Sequence, residues 1–223
     1  MYVLIPTYNE EKNIEKLLEL LGKSKLKPIF VDDGSTDKTY ELLKKAGVLV
    51  LRHPRNKGKA EAIRTGLNFL VRKFEPEQVV LMDADLAYDP SQAFKLLKPL
   101  EKNQADLVIG CRKFSKTPFR NRLGNWVWRT CFNFLLGTKF RDTNCGFVAL
   151  SRKAIEALKN KLRGGYFLEN LMLIEALKKG LRIEQVEVDV SYKKLVGFSK
   201  GVRIVLSVLF SILLEGLKYR LKI

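Results

Sequence analysis

Two aspartates separated by one small residue, Asp83-Ala84-Asp85, follow the apolar run 79–82. Carboxylates at that spacing on a strand end can share a hard cation, Mg2+ or Mn2+, whose other positions are filled by diphosphate oxygens. The chemistry this permits is Lewis-acid chemistry: the ion neutralises charge growing on a departing diphosphate as a glycosidic bond breaks. Taken alone, the same three residues also read as an ordinary strand-end turn. Two further polar clusters change the weighting, because residues 6–10 follow the apolar run 2–5 and residues 32–37 follow the run 29–31. In the second cluster Asp33 can accept hydrogen bonds from a base edge or a ribose, Gly34 permits a tight turn, and Asp37 can cap the next helix. Neither a Gly-x-Gly-x-x-Gly loop nor a Gly-Lys-Ser/Thr loop follows the first apolar run, so phosphates are not cradled in the dinucleotide or P-loop manner.

The elements that must position these clusters are short strands alternating with helices. Runs at 2–5, 29–31, 48–51 and 79–82 read as buried strands. Between them, Ile14, Leu17, Leu18 and Leu21, then Tyr40, Leu42 and Leu43, then Ala62, Ile63, Leu67 and Leu70 recur at helical spacing. Such alternation predicts an α/β fold with a mostly parallel central sheet, right-handed crossovers and flanking helices. In open α/β sheets ligands gather at the carboxyl ends of strands, which is where all three polar clusters fall. After 106–110 the chain changes character, turning aromatic and basic over 114–140, with a helix near 168–179 and strands through 181–190.

The 223 residues carry a net charge of +17, which points to a phosphate-rich partner without choosing among nucleic acid, anionic membrane and small phosphorylated molecules. The Lys and Arg residues are dispersed and form no recognised base-reading module, so nucleic acid is not the expected partner. Three cysteines without paired spacing suggest neither a disulfide framework nor zinc. The single histidine, His53, stands beside Pro54 and is expected on a surface loop; it leaves little for histidine-based triads. Met1 runs straight into an apolar strand with no secretory pattern, so the chain is expected to stay in the cytoplasm.

IPTYNE at 5–10, VDDGSTD at 31–37, RNKGKAEAIRTG at 55–66 and MDADL at 82–86 resemble, in order and spacing, the motifs of family 2 glycosyltransferases with the GT-A fold. GCR at 110–112, RDTNCGF at 141–147 and GFSK at 197–200 are similar to the subgroup that transfers sugar to dolichyl or other polyprenyl phosphate. The resemblance implies that Pro6, Tyr8, Glu10, Val31 and Asp33 line the nucleotide of a GDP- or UDP-sugar. It further implies that Asp83, Ala84 and Asp85 hold diphosphate and metal, and that Arg112, Lys194 and Lys200 face phosphates. Lys194, Phe198 and Ala87 depart from mannose synthases, and RDTNCGF is at least as similar to glucose synthases. GDP-mannose and UDP-glucose are both carried as donors. The implied division is a catalytic domain over 1–200, with a nucleotide half 1–110 and an acceptor half 111–200, followed by an amphipathic helix over 201–223.

That helix carries Lys200, Arg203, Ser207, Ser211, Glu215, Lys218 and Lys222 as one polar stripe among Val, Ile, Leu and Phe. Its apolar core is shorter than the roughly 18 residues a spanning helix needs, so it is expected to lie on the cytoplasmic face of a membrane. A second amphipathic stretch, 119–136, sets Arg122, Asn125, Arg129 and Asn133 opposite Trp126, Phe132 and Phe134. These faces could equally serve a homodimer or a transmembrane partner. A polyprenyl phosphate has its second pKa near about 6, so its oxygen attacks without a general base. The expected reaction is therefore direct displacement with inversion, with Asp85 at the diphosphate, Arg112, Arg122 and Lys200 orienting phosphates, and Asp142 either structural or acting at the sugar. Two alternatives stand beside it: a family 2 enzyme with a saccharide acceptor, and a non-catalytic basic protein that binds membrane or nucleic acid.

Overall fold

A computed structural model describes residues 1–112, 119–191 and 198–221, with only the backbone described over 119–123 and 198–202. The first half alternates as read from the sequence. Strand β1 (Tyr2–Thr7) leads to helix α1 (Glu11–Lys23), β2 (Lys27–Asp32) to α2 (Thr39–Lys45), and β3 (Leu49–Arg52) to α3 (Lys59–Phe74); β4 (Gln78–Leu81) is followed by a 3-10 turn at Pro90–Gln92 and by α4 (Ala93–Glu101). The second half adds β5 (Leu107–Arg112), α5 (Phe119–Leu136), β6 (Val148–Ser151), α6 (Arg152–Leu158), α7 (Leu168–Lys178), β7 (Ile183–Val188) and α8 (Phe198–Leu221).

The seven strands form one sheet in the order β3-β2-β1-β4-β6-β5-β7. All pairings are parallel except those of β6, which runs antiparallel to both β4 and β5. The expected mostly parallel sheet is thus present. Its single reversed strand was not legible: VALS is four residues long, buried, and too short for periodicity to separate it from a helix.

Register is what brings the polar clusters together. Thr7 pairs with Asp32, and Asp32 with Arg52, so β1, β2 and β3 end in one row. Met82 donates its N–H to the Leu4 carbonyl, which puts Asp83 beside the same edge. The core lies on both sheet faces and includes Leu4, Ile5, Phe30, Leu67, Leu81, Phe132 and Phe147. Helix α7 is buried on nearly every side, including Glu169, Asn170 and Glu175, as an all-round apolar pattern requires.

Helix α8 packs on α5 and α7 and contributes Val208 and Ile212 to the core. Its polar stripe is exposed at Arg203 and Ser207 and turns inward at Glu215. Glu215 points inward and is met by Arg163 at 3.3 Å, Lys218 at 3.2 Å and Lys178 at 3.7 Å. Burial of a carboxylate is tolerated where cations satisfy it. The face turned outward is apolar: Leu206, Phe210, Leu213, Leu214, Leu217 and Leu221 are all exposed. Trp126 and Phe134 of α5 are exposed as well, whereas its Trp128 is buried and donates its indole N–H to the Val205 carbonyl of α8 at 3.1 Å. Among the described residues no helix is long and apolar enough to cross a membrane.

Candidate active site

The loops after β1 and β2 are stitched to each other before any ligand is considered. Asn9 N donates to Ser35 Oγ at 3.0 Å, Glu10 N to Thr39 Oγ1 at 2.8 Å, and Thr36 N to Asn9 Oδ1 at 2.8 Å. Asp37 accepts from Glu11 N at 3.2 Å and from Thr39 N at 2.9 Å, so one carboxylate serves the amino ends of both α1 and α2.

Asp33 ties in the third loop. Its Oδ1 accepts from Lys57 N at 2.9 Å and its Oδ2 from Gly58 N at 2.7 Å, anchoring the entry to α3. The same Oδ1 lies 2.7 Å from His53 Nδ1, which donates because a carboxylate can only accept, and His53 Nε2 lies 2.9 Å from Thr65 Oγ1. His53 is therefore buried, not on a surface loop as its neighbour Pro54 suggested. Gly34 makes this approach feasible: its φ is +74°, and a Cβ there would come within 2.5 Å of the Arg55 backbone.

At the end of β4 the chain turns sharply. Asp85 Oδ1 accepts from Ala87 N at 2.9 Å, and Leu86 between them adopts φ +62°, a left-handed conformation costly for a leucine. Asp83 is held differently, by Lys59 Nζ at 2.6 Å from Oδ1; the same ammonium is 2.8 Å from Glu169 Oε1 on α7. Burial opposes the lysine's charge, but Asp83 and Glu169 outweigh it and push its pKa up. Glu10 faces this group: burial first, then the like charges of Asp85, Asp83 and Asp37, push its carboxyl up against a hydrogen bond from Asn13.

These elements enclose a cleft of ≈ 1070 Å³ lined by Pro6, Tyr8, Glu10, Asp33, Asp83, Ala84, Asp85 and Arg112 among others. Eight sequence-predicted residues thus converge. Val31 does not: it is fully buried within β2, and its side chain belongs to the core. Asp142 does not line the cleft either. It is 2 % exposed and clamps Arg112, accepting from Nε at 2.7 Å, Nη2 at 2.9 Å and the backbone N at 3.2 Å. Burial disfavours the guanidinium charge, but Asp142 outweighs it and raises the arginine's pKa further. Lys194 and the side chains of Arg122 and Lys200 lie outside the described residues.

Sequence reasoning missed Lys59, Glu169, Gly146, Asn144, Tyr88 and Tyr166, all of which line the cleft. Lys59 stood inside a quoted motif with no role given to it; Glu169 had no signal, being one acid in an apolar helix. Among the described residues the lining holds seven carboxylates (Glu10, Glu11, Asp33, Asp37, Asp83, Asp85 and Glu169) against three cations (Lys12, Lys59 and Arg112), although the chain carries +17. A polyanion entering so acidic a floor needs an accompanying cation. Asp83 and Asp85 offer hard oxygen donors for one, and among the described residues no set of three or more His, Cys, Asp or Glu could hold an ion alone. That donor set suits Mg2+ or Mn2+, which bind through one or two carboxylates plus substrate phosphates.

A mostly parallel sheet with an acidic cleft at the carboxyl ends of its strands is the arrangement of the GT-A fold. The chain belongs to glycosyl transferase family 2, whose pattern it matches over residues 2–159. It is 30 % identical over 217 residues to the UDP-N-acetylglucosamine–dolichyl-phosphate N-acetylglucosaminyltransferase of Methanococcus voltae, covering 86 % of each chain. It is 30 % identical over 207 residues to the dolichol-phosphate mannosyltransferase of Pyrococcus furiosus, covering 85 % of this chain and 55 % of that one. In structure it is similar to glucosyl-3-phosphoglycerate synthase of Mycobacterium tuberculosis, solved with Mn2+, UDP and phosphoglyceric acid, with a TM-score of 0.79 at 24 % identity, covering 96 % of this chain and 78 % of the other. The likeness in structure establishes the GT-A fold.

Proposed function

We propose that this family 2 glycosyltransferase moves a sugar from a nucleotide diphosphate donor to a polyprenyl phosphate, with inversion, using Mg2+ or Mn2+ at Asp83 and Asp85. The observation that carries the reading is the charge reversal in the cleft, an acidic floor inside a strongly basic chain. A bound ion supplies Lewis-acid stabilisation of the departing diphosphate. The chain's own residues do the rest. Tyr8, 44 % exposed over the cleft, is free to stack on a base; Asp33 shapes the base-side wall through His53 and the 57–58 backbone; Arg112, held by Asp142 through Nε and Nη2, keeps Nη1 for phosphate oxygens. The resemblance assigns Lys194 and Lys200 to the donor's phosphates, Arg122 orients phosphates, and Asp142 acts by orienting Arg112. The 1–200 unit is the catalytic domain and α8 its membrane-facing edge.

The acceptor reading is supported by the relatives named for dolichyl phosphate and by the apolar outer face of α8. Each leucine or phenylalanine on that face that leaves water contributes roughly 1.5–3 kcal/mol, and Arg203, Lys218 and Arg220 flank it for lipid headgroups. We place the protein peripherally on the cytoplasmic face, where a polyprenyl phosphate would present its head to the cleft. GDP-mannose and UDP-glucose stay as donors, and UDP-N-acetylglucosamine joins them from the relative that uses it.

The test is transfer itself. Vesicles containing polyprenyl phosphate are incubated with the protein, Mg2+ or Mn2+, and a panel of radiolabelled UDP- and GDP-sugars. Label is expected in a chloroform-soluble phosphate with inverted anomeric configuration. No transfer from any donor would sink the acceptor assignment, and a retained configuration would sink the direct displacement.

A further inference from the structure

Lys59 opens α3 and Glu169 lies in the first turn of α7, so two helices far apart in sequence deliver a cation and an anion to one carboxylate. Lys59 Nζ is 2.6 Å from Asp83 Oδ1 and 2.8 Å from Glu169 Oε1. On the other side of Asp83, Gly146 closes in: a Cβ added there would overlap Asp83 Oδ2 and come within 3.2 Å of Lys59 Nζ. Asp83 is thereby confined, one oxygen on an ammonium and the other against a glycine. Among the described residues Asp85 has no such partner, its Oδ1 accepting from the backbone N–H of Ala87.

We propose that the Lys59–Glu169 bridge is a built-in counter-charge that weakens the hold of Asp83 on a bare cation, so that metal is retained only together with the donor's diphosphate. Lys59 and Glu169 are positioning residues acting through Asp83. The inference rests on the divalent-metal reading above. Its physical basis is that a unit charge about 3 Å from a ligand oxygen changes that oxygen's affinity for another cation by about tenfold or more. A diphosphate brings its own oxygens and negative charge, so the penalty falls on the bare ion and spares the ternary complex.

The charge argument gives opposite signs that a packing role cannot give. Free Mn2+ is titrated by electron paramagnetic resonance against the full chain, and UDP and GDP are titrated calorimetrically in EDTA. Lys59→Met is expected to bind bare Mn2+ about tenfold more tightly and the metal-free nucleotides about tenfold more weakly. Glu169→Gln, nearly isosteric and leaving the ammonium less compensated, is expected to move both in the reverse direction by severalfold. Lys59→Arg keeps native values within about threefold. If Lys59→Met does not fold, Glu169→Gln alone decides, with weaker bare Mn2+ and tighter nucleotide as the supporting result. The bridge is overturned if the folded charge variants shift both ligands in one direction, or shift neither. Native protein that binds no Mn2+ even with UDP or GDP overturns the metal reading and the bridge with it. Native binding with no opposite shifts in the variants removes the bridge alone.

Discussion

Asp142→Ala separates a residue that acts on sugar from one that holds another residue in place. The geometry predicts the second. Both oxygens of Asp142 are spent on Arg112, Oδ2 on Nε and the backbone N–H and Oδ1 on Nη2, while Oδ1 also accepts from Asn144 N at 3.1 Å. The arginine side chain is 11 % exposed, so removing the carboxylate leaves a nearly buried guanidinium without its counter-ion. Such a loss costs about 3–5 kcal/mol, or roughly 6–20 °C in Tm for a chain of this size. Asp142→Asn keeps an acceptor but loses the charge and should cost ~1–3 kcal/mol. The assay is urea unfolding followed by CD, run beside steady-state transfer kinetics. Because Arg112 lines the cleft, activity falls with stability in both variants. The diagnostic is the double variant Arg112→Met/Asp142→Leu, in which an apolar pair regains most of the stability but none of the activity. Stability of Asp142→Ala within ~0.5 kcal/mol of native, with kcat lost, would refute the clamp and return Asp142 to the sugar.

Three other outcomes follow from particular contacts. Gly146→Ala forces the Asp83 carboxylate, the far end of a side chain, to move; about 1–3 kcal/mol of stability should be lost, with kcat/KM down about 100-fold for a displacement near 1 Å, and unchanged kinetics would show that the position of Asp83 is not critical. Asp106 is held at about 2 chiefly by the Arg182 fork and is nearly buried. Its folded value lies below the unfolded one near about 3.9, so its stabilisation is complete above about pH 4 and lost as pH falls through about 2; Asp106→Asn should be ~1–2 kcal/mol less stable at pH 7, the gap closing by pH 2 in an acid titration of the unfolding midpoint. Phe210, 67 % exposed on α8, should drive membrane binding: Phe210→Glu is expected to weaken sedimentation with anionic vesicles by at least tenfold, and undiminished binding would move the contact off this face.

The first half of the chain was legible because its signals are local. Apolar runs at 2–5, 29–31 and 79–82 each end in acidic or polar residues, and a parallel sheet has only one edge at which such ends can meet. The register confirms the arithmetic, Thr7 beside Asp32 beside Arg52. What escaped were residues whose role is made by partners distant in sequence. His53 looked like a loop residue because Pro54 follows it, yet its neighbours in space are Asp33 and Thr65. Glu169 was one acid among leucines until α7 carried it against Lys59, 110 residues earlier.

The second half shows why helical periodicity fixes a stripe without fixing its direction. On α8 the polar residues do share a side, but Arg163 and Lys178 reach Glu215 from the rest of the molecule and make the acid the inward residue. With Glu215 inside, helical geometry at 100° per residue must turn Leu206, Phe210, Leu213, Leu214, Leu217 and Leu221 outward. A helix that packs Val208 and Ile212 inward and still leaves six large apolar side chains exposed is unreasonable for a protein surrounded by water on all sides. It becomes reasonable once that face meets a bilayer, where the α8 leucines and the exposed Trp126 and Phe134 of α5 are satisfied and the flanking arginines remain in the headgroups. The buried ion cluster at Glu215 is then what turns these residues outward, and, on the proposed membrane reading, replacing Glu215 by leucine should loosen the helix's rotational setting and weaken vesicle binding without touching one outward residue.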